Sequence, residues 1–271
     1  MLRPSWAPAE IDLDRPSAAR VYDYYLGGFH NFPADRQMAQ EAIRMWPELP
    51  MMMRANRAFL RRAVRFAVAQ GVTQFLDIGS GIPTVGNSHE IARQADSESR
   101  VVYVDVDPVA VTHSRAILVG DLQTTVVHAD LRDPERILDD ESVRQLIDFD
   151  RPVAVLLVAV LHFVPDEDDP RAAISRLGEA VAPGSLLVIS HASQDGQPVL
   201  ADSHQQLYAR TPTPMSMRSQ AEIRVLFDGF DLVDPGVVPI QEWRPDPHAE
   251  PTVNSERMVG FAGVGMKGWT V

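Results

Sequence analysis

The chain contains no cysteine, a single lysine and no long apolar run, and each shortage removes a class of chemistry. Without cysteine there are no disulfides, no thiolate nucleophile and no cysteine-held zinc or iron–sulfur centre. Lys267 is the one lysine, so 24 of the 25 basic residues are arginine, and Schiff-base or P-loop lysine chemistry is set aside. No apolar stretch approaches the roughly 18 residues of a membrane helix. The opening Met1-Leu2-Arg3-Pro4-Ser5-Trp6 also lacks the apolar centre of a signal peptide, so a soluble, cytoplasmic protein with no membrane partner is expected. Positive charge is short as well. Against 37 acidic residues the 25 basic ones leave a net charge of −12, which repels a phosphate backbone and makes nucleic acid a poor partner.

What is present suits an α/β enzyme. At 271 residues with 45% hydrophobic and 23% charged side chains, the chain is long enough for an enlarged domain or a domain with an appendage. Its texture changes near Gly71. Upstream, Ser17 to Leu26 and Ala34 to Met45 read as helices, and Asn56 reads as the cap of a third, carrying Phe59, Leu60, Ala63, Val64, Ala67 and Val68 at helical spacing and ending at Gly71. Downstream, Gln74–Ile78, Arg100–Val104, Thr124–Ala129, Val153–Val160 and Ser185–Ser190 are compact apolar runs with the look of buried parallel strands. Asn87–Gln94, Pro108–Val119 and Asp168–Ala182 fit crossover helices between them. Ser219-Gln220-Ala221-Glu222 has the form of a capping box, and Phe230–Ile240 and Met258–Met266 read as two final antiparallel strands. The expected fold is therefore a doubly wound, mostly parallel, seven-stranded sheet with an antiparallel last strand, preceded by a helical extension. The expected division is 1–70 for the extension, acting as a lid, and 71–271 for a Rossmann-like domain.

In such a sheet ligands bind beyond the carboxyl ends of the strands. Asp77-Ile78-Gly79-Ser80-Gly81 falls there, with glycines that let a ligand approach the backbone. A glycine turn closing strand onto helix has the same appearance, so the loop gains its weight from the next two strands. Val101-Val102-Tyr103-Val104-Asp105 ends in a carboxylate able to accept both hydroxyls of a ribose, with Val106 next to it. Val126-Val127-His128-Ala129-Asp130-Leu131 ends in one able to take the amine of adenine. Each acid alone also reads as a solvated strand end or a helix cap. Three in order at three strand ends point to a nucleoside. Pro83 and Thr84 stand where a dinucleotide fingerprint would continue, and acid-rich loops suit a sulfonium and an ammonium better than a pyrophosphate.

These motifs resemble the class I S-adenosylmethionine-dependent methyltransferases. More narrowly, the chain is similar to an actinobacterial S-adenosyl methyltransferase family once catalogued as a domain of unknown function. The narrower resemblance rests on Pro16-Ser17-Ala18-Ala19-Arg20-Val21-Tyr22-Asp23-Tyr24-Tyr25-Leu26-Gly27-Gly28, on Asn31-Phe32-Pro33-Ala34-Asp35-Arg36, on Arg54-Ala55-Asn56-Arg57, and on Gly81-Ile82-Pro83-Thr84 with Asn87 and His89. It departs at Phe29-His30, where a Lys-Asp pair is expected, and at Ser88, where a small apolar residue is expected. The resemblance implies S-adenosyl-L-methionine as cofactor and methyl transfer as the activity; it names no acceptor.

The expected cofactor-binding set is Asp77, Gly79, Ser80, Gly81, Asp105, Val106, Asp130, Leu131, Tyr25 and Asn31. Methyl transfer depends mainly on alignment. A base is optional, and His162 at the end of the fourth strand is the candidate for it, with packing against the cofactor as the plainer alternative. Tyr22 is the second candidate catalytic residue: it, Tyr25, Gly27, Gly28 and Asn31 read either as a lid whose aromatic faces meet a sulfonium or as helix residues packing on the sheet. Arg54 and Arg57 read first as structural. Asp166-Glu167-Asp168-Asp169 reads as helix-dipole acids, and no metal is expected. The expected partner is a small-molecule methyl acceptor, and a homodimer is open. An aminopropyl transferase and a non-catalytic cofactor-binding regulator are the alternative functions.

Overall fold

The computed structural model describes residues 11–83, 86–246 and 259–268. The opening Met1 to Trp6, Thr84 and Met258 lie outside the described residues. Three helices come first, α1 (Ala18–Tyr25), α2 (Pro33–Met45) and α3 (Leu49–Ala69). Then β1 (Gln74–Ile78), α4 (Ser88–Ala95), β2 (Arg100–Asp105), α5 (Pro108–Ile117) and β3 (Thr124–His128) alternate. Two short helices, α6 (Pro134–Leu138) and α7 (Glu141–Leu146), lead to β4 (Ala154–Val158), α8 (Pro170–Ala180), β5 (Leu186–Ala192), α9 (Pro198–Tyr208) and α10 (Gln220–Val225). The chain closes with β6 (Asp231–Leu232), β7 (Val238–Pro239) and β8 (Gly260–Met266).

The strands lie in the order β3-β2-β1-β4-β5-β8-β6, with β7 also paired to β8. β1 to β5 are parallel and β8 runs antiparallel to β5. The run expected as one strand over Phe230–Ile240 is split: β6 pairs with Met266 and Gly265 and β7 with Ala262 and Phe261, so both occupy the same edge of β8. A turn at Asp234 and Pro235 separates them, since proline has no N–H for a ladder. Seven sheet positions are filled, as expected.

Alternation along the strands sends side chains to two cores. Leu76, Val102, Val104 and Leu157 meet α6, α7, α8 and α10 through Ile137, Val143, Ile174, Leu177 and Ile223. Phe75, Val101, Tyr103 and Leu156 meet α3, α4 and α5 through Phe59, Leu60, Val64, Ile91 and Val111. The expected boundary at residue 70 falls between α3 and β1, and the second half of α3 is part of the sheet's own core. Its first half joins α1, α2 and α9 in a separate cluster with Val21, Tyr25, Trp46, Leu49 and Tyr208.

Asn56 corrects the expectation of a cap. α3 begins seven residues earlier at Leu49, with Pro50 in its first turn where the missing N–H is harmless, and Asn56 is buried inside it. Likewise β4 stops at Val158, two residues short of the expected end, because Ala159 takes φ 59° and turns the chain out of the sheet.

Candidate functional site

The strand order reverses between β1 and β4, and the crevice outside their carboxyl ends holds a cavity of about 470 Å³. That volume suits a small-molecule or cofactor pocket. A cleft of about 450 Å³ at Arg100, Arg144 and Asp148 opens by contrast at the amino end of β2, away from the switch point.

The glycine loop is tied to the neighbouring strand, since the N–H groups of Gly79 and Ser80 donate to Val104 O at 2.8 and 3.2 Å. Gly79 has φ +73°, and a Cβ there would stand 2.3 Å from Val160 Cγ2, so the loop requires glycine on both counts. Asp105 braces the same loop: Gly81 N donates to Oδ2 at 2.7 Å and Asp107 N to Oδ1 at 2.8 Å. Burial pushes its pKa up to about 7. The Val106 N–H lowers it in the same way as these two donors.

Asp77 is spent largely on the fold. Ser88 Oγ donates to it at 2.5 Å and lies 3.0 Å from the Tyr103 hydroxyl, so the residue that departs from the family pattern anchors α4 to β1. Burial raises Asp77 to about 6, against the Ser88 hydrogen bond and the nearby Arg57 charge, which lower it. Asp130 is more open. Arg132 grips it through Nε at 3.0 Å and through Nη2 at 2.5 Å. Burial would raise its pKa, but the Arg132 hydrogen bonds and charge outweigh that and leave it lowered. Asp77, Gly79, Ser80, Gly81, Asp105, Val106, Asp130 and Leu131 all line the one cavity.

The remaining expected residues are placed differently. Tyr22 lines the cavity from α1, but Tyr25 lines a smaller inner one, and Asn31 supports the helix from behind by donating to Asp23 Oδ2 at 2.8 Å and Gly28 O at 2.9 Å. Tyr22's hydroxyl accepts from Asn56 Nδ2 at 2.9 Å and sits 3.4 Å from Met53 O. Burial raises its pKa, which keeps it a neutral phenol. Asn56 Oδ1 in turn accepts from Ser190 Oγ at 2.6 Å, and Ser190 Oγ accepts from Ala159 N at 3.0 Å. A relay of hydrogen bonds thus ties α1, α3 and β5 to the strained residue after β4. Nothing in residue spacing signals it, because its links join positions up to 134 apart.

His162 is buried on the inner cavity and Ala192 N donates to its Nδ1 at 3.4 Å, which puts the ring hydrogen on Nε2. Its pKa is pushed well down by burial, then by His191, His204 and Arg218. The ring is therefore held neutral. Of the acidic run, Asp166 pairs with Arg218 at 2.6 Å, Asp168 with Arg132 at 3.1 Å, and Asp169 caps α8 through Ala172 N at 3.0 Å. Among the described residues no three His, Asp or Glu side chains form a metal cluster. None of the described helices is long and apolar enough to cross a membrane.

A sulfonium nucleoside fits this lining. Carboxylates face it from three strand ends, the backbone approach is open at Gly81, and the buried Ser80 Oγ has no hydrogen-bond partner among the described residues.

Known proteins agree. A candidate methyltransferase of Thermobifida fusca YX is 40% identical, with 98% of this chain and 100% of that one aligned at a TM-score of 0.92. A DUF574 family protein of Streptomyces avermitilis MA-4680 is also 40% identical over 94% of this chain and 100% of its own, with a TM-score of 0.90. The N-methyltransferase NodS of Bradyrhizobium japonicum WM9, crystallised with S-adenosyl-L-homocysteine, is only 13% identical and shares the fold, with a TM-score of 0.51 over 92% of this chain and 98% of its own. No curated protein matches. The family profile for S-adenosyl methyltransferases matches residues 4–268, and the chain belongs to that family of S-adenosylmethionine-dependent enzymes.

Proposed function

We propose that the enzyme methylates a small molecule by in-line displacement, with the cofactor in the outer cavity and the acceptor on the side of the N-terminal helices. The observation that carries this reading is the convergence of Asp77, Asp105 and Asp130 on the glycine loop in one cavity whose far wall is α1. When bound, S-adenosylmethionine supplies a methyl carbon on positive sulfur, to which an acceptor lone pair bonds while the C–S electron pair stays on sulfur as a thioether.

In this reading Asp105 accepts the ribose hydroxyls and Asp130 receives the adenine amine beside Leu131. The Gly79–Gly81 backbone and Ser80 Oγ meet the methionyl portion. Tyr22, held by Asn56, lines the boundary at which the acceptor meets the methyl carbon, and His162 donates through Nε2 to the acceptor's reacting oxygen. Tyr25 and Asn31 act from behind this boundary. The proton of the acceptor leaves to water. The gain comes from alignment, which is worth about 7–11 kcal/mol for well-placed reactants.

Calorimetry with S-adenosylmethionine, its demethylated product and NAD tests the first half. Binding of the first two without NAD is expected; NAD alone would sink the assignment. Transfer of a labelled methyl group into a small-metabolite pool tests the second half, and label found only in macromolecules would refute it.

A further inference from the structure

Behind the outer cavity lies an inner chamber of about 70 Å³. The two share Ala18, Tyr22, Asn56, Ala159 and Phe163, so these residues form the boundary at which they adjoin. The composition changes across it. The outer cavity is lined by several aspartates and arginines, whereas among the described residues no aspartate, glutamate, lysine or arginine lines the chamber. Its surface is instead aromatic and sulfur-rich, with Trp46, Phe163, Tyr208, Met52, Met53 and Met215.

Among these apolar groups stand three buried histidines. His191 donates through Nδ1 to Ala192 O at 2.7 Å and accepts at Nε2 from Arg218 at 2.9 Å, so both its nitrogens are used. His204 is different: it is 4% exposed and its Nδ1 has no hydrogen-bond partner among the described residues. The buried Tyr25 hydroxyl, by contrast, has the Tyr208 hydroxyl as its partner. Burial holds His191 near 3 and His204 near 4, and pushes His162 down too, so all three imidazoles are uncharged at neutral pH. A site used only for packing would fill with leucine; the unpartnered Nδ1 of His204 in an apolar chamber beside the cofactor cavity suits a ligand that supplies the missing partner.

We propose that this chamber receives the methyl acceptor, and that the acceptor is an uncharged, predominantly apolar ring compound presenting one hydroxyl. The assignment rests on the methyltransferase reading above. Aromatic walls pack against the ring, His204 Nδ1 partners its hydroxyl, and among the described lining residues none offers an ion pair to an acid, an amine or a phosphate. The hydroxyl oxygen bonds to the methyl carbon, the C–S pair remains on sulfur, and the hydroxyl proton passes to water. A cavity of about 150 Å³ holds a benzene ring, so the chamber must widen to admit one. Its methionine side chains are the adaptable part of the wall.

The test uses the full chain with its methionine methyl groups labelled with carbon-13, saturated with demethylated cofactor. Phenol, benzoate and benzylamine serve as neutral, anionic and cationic probes of similar size. Phenol is expected to shift the Met52, Met53 and Met215 signals, binding at least tenfold more tightly than either charged probe, and His204→Phe is expected to weaken it at least fivefold. No shift at these methyl groups, or equal binding of a charged probe, would overturn the proposal whether or not the variant folds. Cofactor binding is titrated first. Its failure would count against the methyltransferase reading, whereas intact cofactor binding without a preference for phenol would count against the acceptor assignment alone.

Discussion

The outer cavity and the inner chamber adjoin at one boundary and differ in almost everything else. The outer one is built from successive strand ends of one sheet, is rich in aspartate, and uses those acids first to brace its own loops. The chamber is assembled from α1, α3, β5 and α9, holds neutral imidazoles and has no acid among its described lining residues. The pKa shifts sharpen the contrast, because the buried acids of the outer cavity, Asp77 and Asp105, and the histidines of the chamber make stability depend on pH in opposite directions. Asp105 and Asp77 are raised acids, so the folded apo form holds protons that the unfolded chain has lost, and stability from this source declines as pH rises from about 4 through about 7. His162, His191 and His204 are lowered, so the unfolded chain takes protons first, and stability declines as pH falls below about 6.5.

The contrast is open to direct attack, and the largest effect belongs to the outer cavity. Replacing Asp105 by Ala removes the ribose acceptor together with the brace on Gly81, and calorimetry is expected to show a loss of about 3 kcal/mol in cofactor binding, roughly a hundredfold. An unchanged affinity removes Asp105 from the site. Gly79→Ala comes next: positive φ and the stiff Val160 side chain in the way are expected to cost about 1–3 kcal/mol of stability, seen as a lower Tm. The shared boundary is tested by Asn56→Ala, which strands Tyr22 and Ser190. Its expected cost is about 1–3 kcal/mol in stability, with kcat falling more than cofactor affinity; the reverse pattern would make Asn56 part of the cofactor site.

The pH dependence separates the regions more gently. Ribose hydroxyls need the ionised carboxylate, so cofactor affinity is expected to weaken as pH drops below about 7, by at most tenfold per unit, and Asp105→Asn should flatten that profile. The same variant should relieve the loss of apo stability on the alkaline side, and His204→Phe part of the loss on the acid side. Asp130→Asn is expected to do least, because Arg132 already occupies a carboxylate that is partly open to solvent.

The two regions also differ in how far they are legible in the sequence. The acids at the ends of β1, β2 and β3 and the glycine loop follow from local periodicity, because each strand and its loop are contiguous in the chain. The parallel order, the capping box at Ser219 and the antiparallel close of the sheet are readable for the same reason. The chamber is not. Asn56 looks like a cap because Asn often is one, and only the fold brings it to Ser190; His204 shows no ligand spacing because its neighbours Trp46 and Tyr25 lie more than 150 positions upstream. Ser88 is a mere departure from a pattern until its hydroxyl is seen on Asp77. The split of β6 from β7 depends on a turn that an apolar run conceals.

The most direct measurement is a crystal structure of the enzyme with S-adenosyl-L-homocysteine. The expected result is ribose hydroxyls on the Asp105 carboxylate, with the sulfur facing the boundary formed by Tyr22, Asn56 and Ala159. A nucleoside bound with its ribose away from Asp105, or a sulfur turned from that boundary, would contradict it.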